Sequence, residues 1–240
     1  MSGDDARSAL QSLLRATARR YRPAGLHAYF FALGKLRFDP IFTALLRDSF
    51  IPSGVRVLDL GCGQGLLFAW LLAASDHYRA GCWPVAWPGP PQDLQLQGIE
   101  RRQKECAFAS IALNNRATIA SADLRDTSLP ASDVVVLLDV LHYLDAADQL
   151  ALLQRVTRCL STQGRVLLRV ADAGARLSLT LMTDRFGALL RGQPWPRYHV
   201  RPVAEWQRVL AGLGFTSTTI PMSAGTPFSN VLIIATRKSE

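Results

Sequence analysis

Three glycines at alternate positions, Gly61, Gly63 and Gly65, follow the short apolar run Val55–Leu60, with Cys62 and Gln64 between them. Glycine at this spacing lets a chain turn sharply and bring its backbone close to a ligand with no Cβ in the way. Asp59, near the end of the run, adds a carboxylate that can hold the turn or meet a cation. A second carboxylate, Glu100, closes the stretch Leu94–Ile99, where it can accept both hydroxyls of a bound ribose. The residue types suit a turn that meets a nucleoside, though Glu100 could equally be an exposed glutamate at a helix start. The turn is neither of the two common phosphate-binding ones. A dinucleotide fingerprint wants a third glycine where Leu66 stands, and a P-loop wants Gly-Lys-Ser/Thr.

The elements needed to position these groups can be read around them. Val55–Leu60 has the length and β-branched start of a buried strand, and Leu66–Leu72 reads as a helix. Strand, glycine turn and helix form the first unit of a doubly wound α/β sheet, in which ligands sit beyond the carboxyl ends of the strands. Ahead of it, Asp4–Arg20 has helical apolar spacing. A second helical stretch begins at His27 and runs to Leu33, followed by Gly34–Arg37. A third opens on Asp39 as N-cap with Pro40 in its first turn. The Pro-rich segment Gly81–Pro91 reads as a surface loop that lengthens the first crossover. Leu94–Ile99 is then strand two, residues 101–115 a helix and Ala117–Ala120 strand three. Asp133–Leu138, apolar throughout after its first residue, is a central parallel strand, and Asp145 caps the helix that follows. Gln163-Gly164 turns into strand five, Arg165–Val170. Leu177–Met182 and Phe186–Leu190 look helical, whereas Gln193–His199 does not. Pro202 begins a last helix carrying Trp206 and Leu210. Phe215–Ile220 and Asn230–Ala235 are the closing strands.

Leu58-Asp59-Leu60-Gly61-Cys62-Gly63-Gln64-Gly65 closely resembles motif I of the class I S-adenosylmethionine-dependent methyltransferases, and the resemblance covers about residues 55–236. It implies a Rossmann-like α/β fold whose seven-stranded sheet has the order 3-2-1-4-5-7-6, strand 7 antiparallel. It implies one domain over 1–240: helices at 1–52 cover the cofactor, 53–240 form the sheet, and an acceptor-binding insertion lies at about 171–201. S-adenosyl-L-methionine is the implied cofactor, held by Asp59, Gly61, Cys62, Gly63, Gly65, Glu100, Asp123, Leu124 and Asp139. By that likeness Asp123 accepts from the adenine amino group, with Asp126 its rival, and Leu124 adds backbone and apolar contact. Asp139-Val140-Leu141-His142-Tyr143-Leu144 resembles motif IV, at the mouth of the methyl-transfer site.

The methyl group of such a cofactor is already a strong electrophile, so alignment and exclusion of water can suffice. If the acceptor is a phenol or a carbon beside one, a histidine can take its proton. His142 is the first candidate, then His199 and His27; each could equally be a structural hydrogen-bonding histidine. Tyr29, Tyr143, Tyr198 and Trp195 could line an aromatic pocket or simply pack. The Asp/Asn-Pro-Pro-Tyr/Phe signature of DNA amino-methyltransferases is not at Asp139–His142, so DNA is not expected as a partner. Arg20–Gly25, Gly34–Pro40 and Thr226–Leu232 look like methyltransferases encoded with bacterial aryl-polyene pigment pathways, the xanthomonadin type included. That implies a phenolic small-molecule acceptor, methylated on oxygen or ring carbon. Other small molecules, RNA or protein, and a non-catalytic cofactor-binding partner protein remain open alternatives.

Composition bounds the rest. A chain of 240 residues with 49% hydrophobic residues can bury a sizeable core as one domain. No apolar stretch is long enough to span a bilayer. The start Met1-Ser2-Gly3-Asp4-Asp5 has no basic-then-apolar signal pattern. A cytoplasmic protein is expected, one that could also lie at the periphery of the inner membrane. The four cysteines form no C-x-x-C pair and no metal spacing with histidine, so they read as reduced thiols. The formal charge is +8. In residues 1–52 eight arginines and lysines face four aspartates. This basic face suits an acidic acyl-carrier protein bearing the acceptor, or an anionic membrane surface, if it is not simply solvated.

Overall fold

The computed structural model describes residues 3–172, 199–223 and 229–238, with side chains from Ala6 onward. The helices read at Leu177–Met182 and Phe186–Leu190, and most of the stretch containing Trp195 and Tyr198, lie outside the described residues, as does Thr226-Pro227-Phe228. Seven strands form one sheet in the order β3-β2-β1-β4-β5-β7-β6. This is the order and polarity implied by the motif I resemblance. The chain divides into two compact units, Met1–Asp123 and Leu124–Glu240. No helix of the described residues is long and apolar enough to cross a membrane.

The first unit opens with α1 (Gly3–Arg19), α2 (Leu26–Phe38) and α3 (Pro40–Arg47). Asp39 caps α3 as expected, its carboxylate accepting from the Ile41 N–H at 3.1 Å. Helix α2 does not pause at Gly34 but continues to Phe38. Parallel strands β1 (Arg56–Leu60), β2 (Gln95–Glu100) and β3 (Thr118–Ser121) are separated by α4 (Leu66–Arg79) and α5 (Gln103–Leu113). Asp59 lies opposite Gly98 and Leu60 opposite Ile99, while Glu100 lies opposite Ser121. Leu58, Leu60, Phe68 and Trp70 are fully buried. The Trp70 indole N–H donates to the Phe42 carbonyl at 2.7 Å, tying α4 to α3.

In the second unit β4 (Ser132–Leu138) leads through a 3₁₀ turn (Leu141–Tyr143) to α6 (Ala146–Cys159), capped by Asp145. Strand β5 spans Leu160–Ala171 and starts directly where α6 ends, which corrects the expected turn at Gln163-Gly164. Ser132 pairs with Leu160 and Val134 with Arg165, so the intervening residues of β5 bulge. A Cβ on Gly164 would lie 2.5 Å from Leu160 Cγ, so the bulge closes only around glycine. Helix α7 (Val203–Gly212) precedes β6 (Phe215–Pro221) and β7 (Asn230–Arg237), and β7 runs antiparallel to both β5 and β6. Val135, Val136, Leu167, Leu168 and Ile233, with Leu152, Trp206 and Leu210 from the helices, make this unit's core.

Candidate active site

At the carboxyl end of β1 the three glycines adopt left-handed backbone conformations, with φ of 75°, 54° and 69° for Gly61, Gly63 and Gly65. Their demands differ. A Cβ on Gly63 would meet nothing closer than the Arg102 guanidinium at 3.8 Å, so Gly63 leaves an open face beside the backbone. A Cβ on Gly65 would lie 2.9 Å from Leu113 Cδ1 and 3.2 Å from Ala109, so that glycine lets α5 pack against the turn. Gly61 and Cys62 both donate to the Ile99 carbonyl, at 2.8 and 3.2 Å. Cys62 is buried against Gly98, and burial pushes its thiol well up.

Glu100 joins the turn to the end of β2. Its Oε2 accepts from the Gly63 N–H at 3.0 Å, and its Oε1 accepts from the Arg102 N–H at 2.8 Å and Arg102 Nε at 3.0 Å. Arg102 is thus a partner of the expected ribose-binding carboxylate that the sequence reading passed over. Asp59 is buried, and its carboxylate takes no hydrogen bond from any described residue. Burial first, then the neighbouring Glu100 carboxylate, push it up to about 7. Just past β3, Asp123 pairs with Arg101 at 3.8 Å. From behind, the buried Tyr21 hydroxyl donates to the Gln64 carbonyl at 2.9 Å, fixing the turn to the chain that leaves α1. No sequence signal singled out Tyr21 for this contact.

A purine nucleoside bearing an amino acid side chain fits this donor set. The turn offers an open backbone face at Gly63, Glu100 is an acceptor at its edge, and Asp59 is a buried carboxylate with acceptor capacity to spare.

Helix α2 has an inverted distribution of sizes. It buries Ala28, Ala32 and Leu36 and turns Leu26, Phe30, Phe31 and Phe38 to solvent, with Phe30 61% and Phe38 71% exposed. His27 and Arg37 lie on the same outward face. Arg22 stacks over Tyr29, whose ring meets Phe30 edge-on at 5.0 Å.

In the second unit, Leu124 and Asp126 follow the first unit's last residue. The Leu124 carbonyl is held by Arg155 of α6, which also donates to the Thr127 carbonyl at 2.7 Å. Asp126 is exposed. Asp139, past β4, is held in a left-handed conformation (φ 59°) with its carboxylate clasped by the buried guanidinium of Arg169. Arg169 interrupts an apolar strand, and that break in pattern was its available signal. His142 follows in the 3₁₀ turn, its ring 4.2 Å from that of Tyr143. The His199 N–H donates to the His142 carbonyl at 3.0 Å, and both histidines line a narrow cleft with Arg169 and Trp206. The structure therefore brings His142 and His199 together, while His27 stands on the outward face of α2.

The model of the methyltransferase domain family matches residues 16–219. The tetracenomycin polyketide synthesis 8-O-methyl transferase TcmO of Streptomyces glaucescens is 25% identical over 170 residues, covering 70% of this chain and 46% of that protein. The aclacinomycin 10-hydroxylase RdmB of Streptomyces purpurascens is 29% identical over 199 residues, covering 80% and 49% respectively. The chain thus spans about half the length of these curated relatives. Among solved structures, the magnesium protoporphyrin IX methyltransferase ChlM of Synechocystis PCC 6803, with bound S-adenosylhomocysteine, superimposes with a TM-score of 0.57 at 19% identity. The match covers 97% of this chain and all of that one, and shows the shared fold. With the glycine turn, the 3-2-1-4-5-7-6 sheet and a family match over most of its length, the chain belongs to the methyltransferase domain family, and its fold is that of the class I S-adenosylmethionine-dependent methyltransferases.

Proposed function

We propose that the chain methylates a small hydroxyaryl acceptor, on the ring oxygen or the adjacent ring carbon, in an aryl-polyene pigment pathway. The observation that carries the acceptor class is the outward aromatic face of α2. Phe30 and Phe31 offer flat apolar surfaces on which a ring can stack, and the Tyr21–Gln64 bond ties the chain leading into α2 to the glycine turn. TcmO, whose name gives it an O-methyl transfer in polyketide synthesis, supports an oxygen acceptor.

In this reading Glu100 accepts the ribose hydroxyls, and Asp123 accepts the adenine amino group beside Leu124. Asp59 faces the cofactor's cationic end, and Gly61, Cys62, Gly63 and Gly65 bring the backbone alongside. Asp139, clasped by Arg169 at the β4 exit, is the remaining cofactor contact. Bound S-adenosylmethionine supplies the methyl group from its sulfonium. His142, or His199 beside it, takes the phenol proton; His27 is the alternative from the α2 face. The excess of basic residues in 1–52 suits an acceptor borne on an acidic acyl-carrier protein, or a resting place on an anionic membrane leaflet.

The test is methyl transfer from labelled cofactor to hydroxyaryl acids and their carrier thioesters, alongside mass spectrometry of the pigment made with and without this chain. Efficient transfer to aliphatic carboxylates or RNA, with hydroxyaryl compounds ignored, would sink the acceptor reading. RdmB carries the name of a hydroxylase, so relatives of this sequence do not all bear a methyl-transfer name. Tight cofactor binding without transfer to any acceptor would favour a non-catalytic binding protein.

A further inference from the structure

Gln149 is 1% exposed, on the face of α6 that also buries Leu152, Leu153 and Val156. A carboxamide in that apolar stripe is costly unless its polar atoms are met. They are met by the two chain stretches that carry the histidines. Nε2 donates to the carbonyls of Leu141 at 2.9 Å, Leu144 at 3.1 Å and His199 at 2.9 Å. Two N–H groups thus serve three carbonyls, one of them shared. Oε1 accepts from Arg201 Nε at 2.7 Å. Leu141 and Leu144 bracket His142, and the His199 N–H donates to the His142 carbonyl. Arg201 is itself anchored, paired with Glu205 and stacked 5.4 Å over the buried Trp206 ring.

We infer that Gln149 is a positioning residue for methyl transfer: it clamps the turn holding His142 to the stretch holding His199 and so sets both histidines at one edge of the second unit. A histidine that takes a proton from an acceptor must be held to within a fraction of an ångström, and one backbone stretch ending in a short turn cannot do that alone. Gln149 replaces that missing rigidity with bonds to both flanks of His142 and to the partner stretch. The inference rests on the reading that His142 or His199 acts on the acceptor.

The test uses the full chain with Gln149→Leu, which removes every bond, and Gln149→Glu, which keeps an acceptor for Arg201 but turns oxygen toward three carbonyls. Amide hydrogen exchange is followed over residues 141–144 and 199–203. S-adenosylhomocysteine affinity is taken by calorimetry, and kcat and KM with 4-hydroxybenzoate and 4-hydroxycinnamate. Both variants are expected to lose protection in those two stretches and to keep cofactor affinity and acceptor KM. Their kcat is expected to fall roughly 10²-fold, the cost of a small misplacement at a reacting centre. Unchanged protection overturns the clamp. Lost protection with unchanged kcat overturns the positioning role, as does a parallel loss of cofactor affinity. If Gln149→Leu does not fold, Gln149→Glu decides by the same readings. If His142→Ala and His199→Ala both leave kcat untouched, the proton-acceptor reading fails and the positioning role falls with it. If the wild type transfers to neither probe, the hydroxyaryl reading alone loses support, and protection in the two stretches decides the clamp.

Discussion

The hydroxyl of Tyr21 donates to the carbonyl of Gln64 at 2.9 Å, so the chain leaving the first helix holds the middle of the glycine turn from behind. Both groups are buried, and burial raises the phenol far enough that it stays a neutral donor. Tyr21→Phe leaves the Gln64 carbonyl unmet, which costs about 1–3 kcal/mol. We expect a lower midpoint in chemical unfolding and weaker cofactor binding by calorimetry, with neither change in Tyr29→Phe.

Glu100→Ala should weaken S-adenosylmethionine binding by about 1.5–3 kcal/mol, the usual size of a hydrogen bond to a charged group. Gly63→Val should abolish it, because a side chain would fill the open face and strain a backbone at φ 54°. Gly65→Ala should act differently. Its Cβ collides with Leu113 and Ala109, so stability falls by about 1–3 kcal/mol. Calorimetry and unfolding curves on the three variants separate the two roles; tighter binding of NAD than of S-adenosylmethionine by the wild type would refute the cofactor assignment.

Asp59 makes the ligand-free protein sensitive to pH. The unfolded chain ionises this carboxyl near the ordinary value of about 3.9, whereas the folded protein holds its proton up to about 7. The contribution to stability is therefore fully present below about pH 4 and is lost as the pH rises through about 7. Unfolding free energies from urea titrations should decline across that window, and Asp59→Asn should flatten the decline and be the more stable protein at pH 8. An identical pH profile in both proteins would show that Asp59 is not the group responsible.

The Asp139–Arg169 pair predicts a large structural effect. Arg169→Met removes the guanidinium that clasps the Asp139 carboxylate, at a cost of about 2–4 kcal/mol, less than for a wholly buried pair because Asp139 keeps some solvent. Adding Asp139→Gly removes the carboxylate as well and suits the left-handed backbone. The double variant should recover much of the loss in the same unfolding assay.

His142→Ala should lower turnover of a hydroxyaryl acceptor by roughly 10²–10⁴ and leave cofactor affinity nearly unchanged, since His142 is not among the residues assigned to the cofactor. Phe30→Ser with Phe31→Ser should raise acceptor KM without loss of stability, because both rings are already exposed. Steady-state kinetics beside thermal unfolding reads both; a fall in melting temperature in place of a KM change would make the α2 face structural.

Through its motif I resemblance the sequence implied the order of the sheet, and by itself it determined most of the strands and the glycine turn. These are local matters: an apolar run of strand length, a turn that only glycine can make, and a carboxylate at a strand end announce themselves within a few residues. Asp39 and Asp145 as helix caps were legible for the same reason. Only the tertiary structure decided which distant partners each polar group would meet. Arg102 folding onto Glu100, Tyr21 reaching Gln64, Arg169 clasping Asp139 and Gln149 tying His142 to His199 all depend on side-chain contacts that no pattern of neighbours encodes. The start of β5 at Leu160 was hidden similarly. Gln163-Gly164 reads locally as a turn, and only pairing with β4 makes those residues a bulge. The outward aromatic face of α2 was invisible because helical spacing tells which residues share a face, while the packing of Ala28 and Ala32 decides which face is buried.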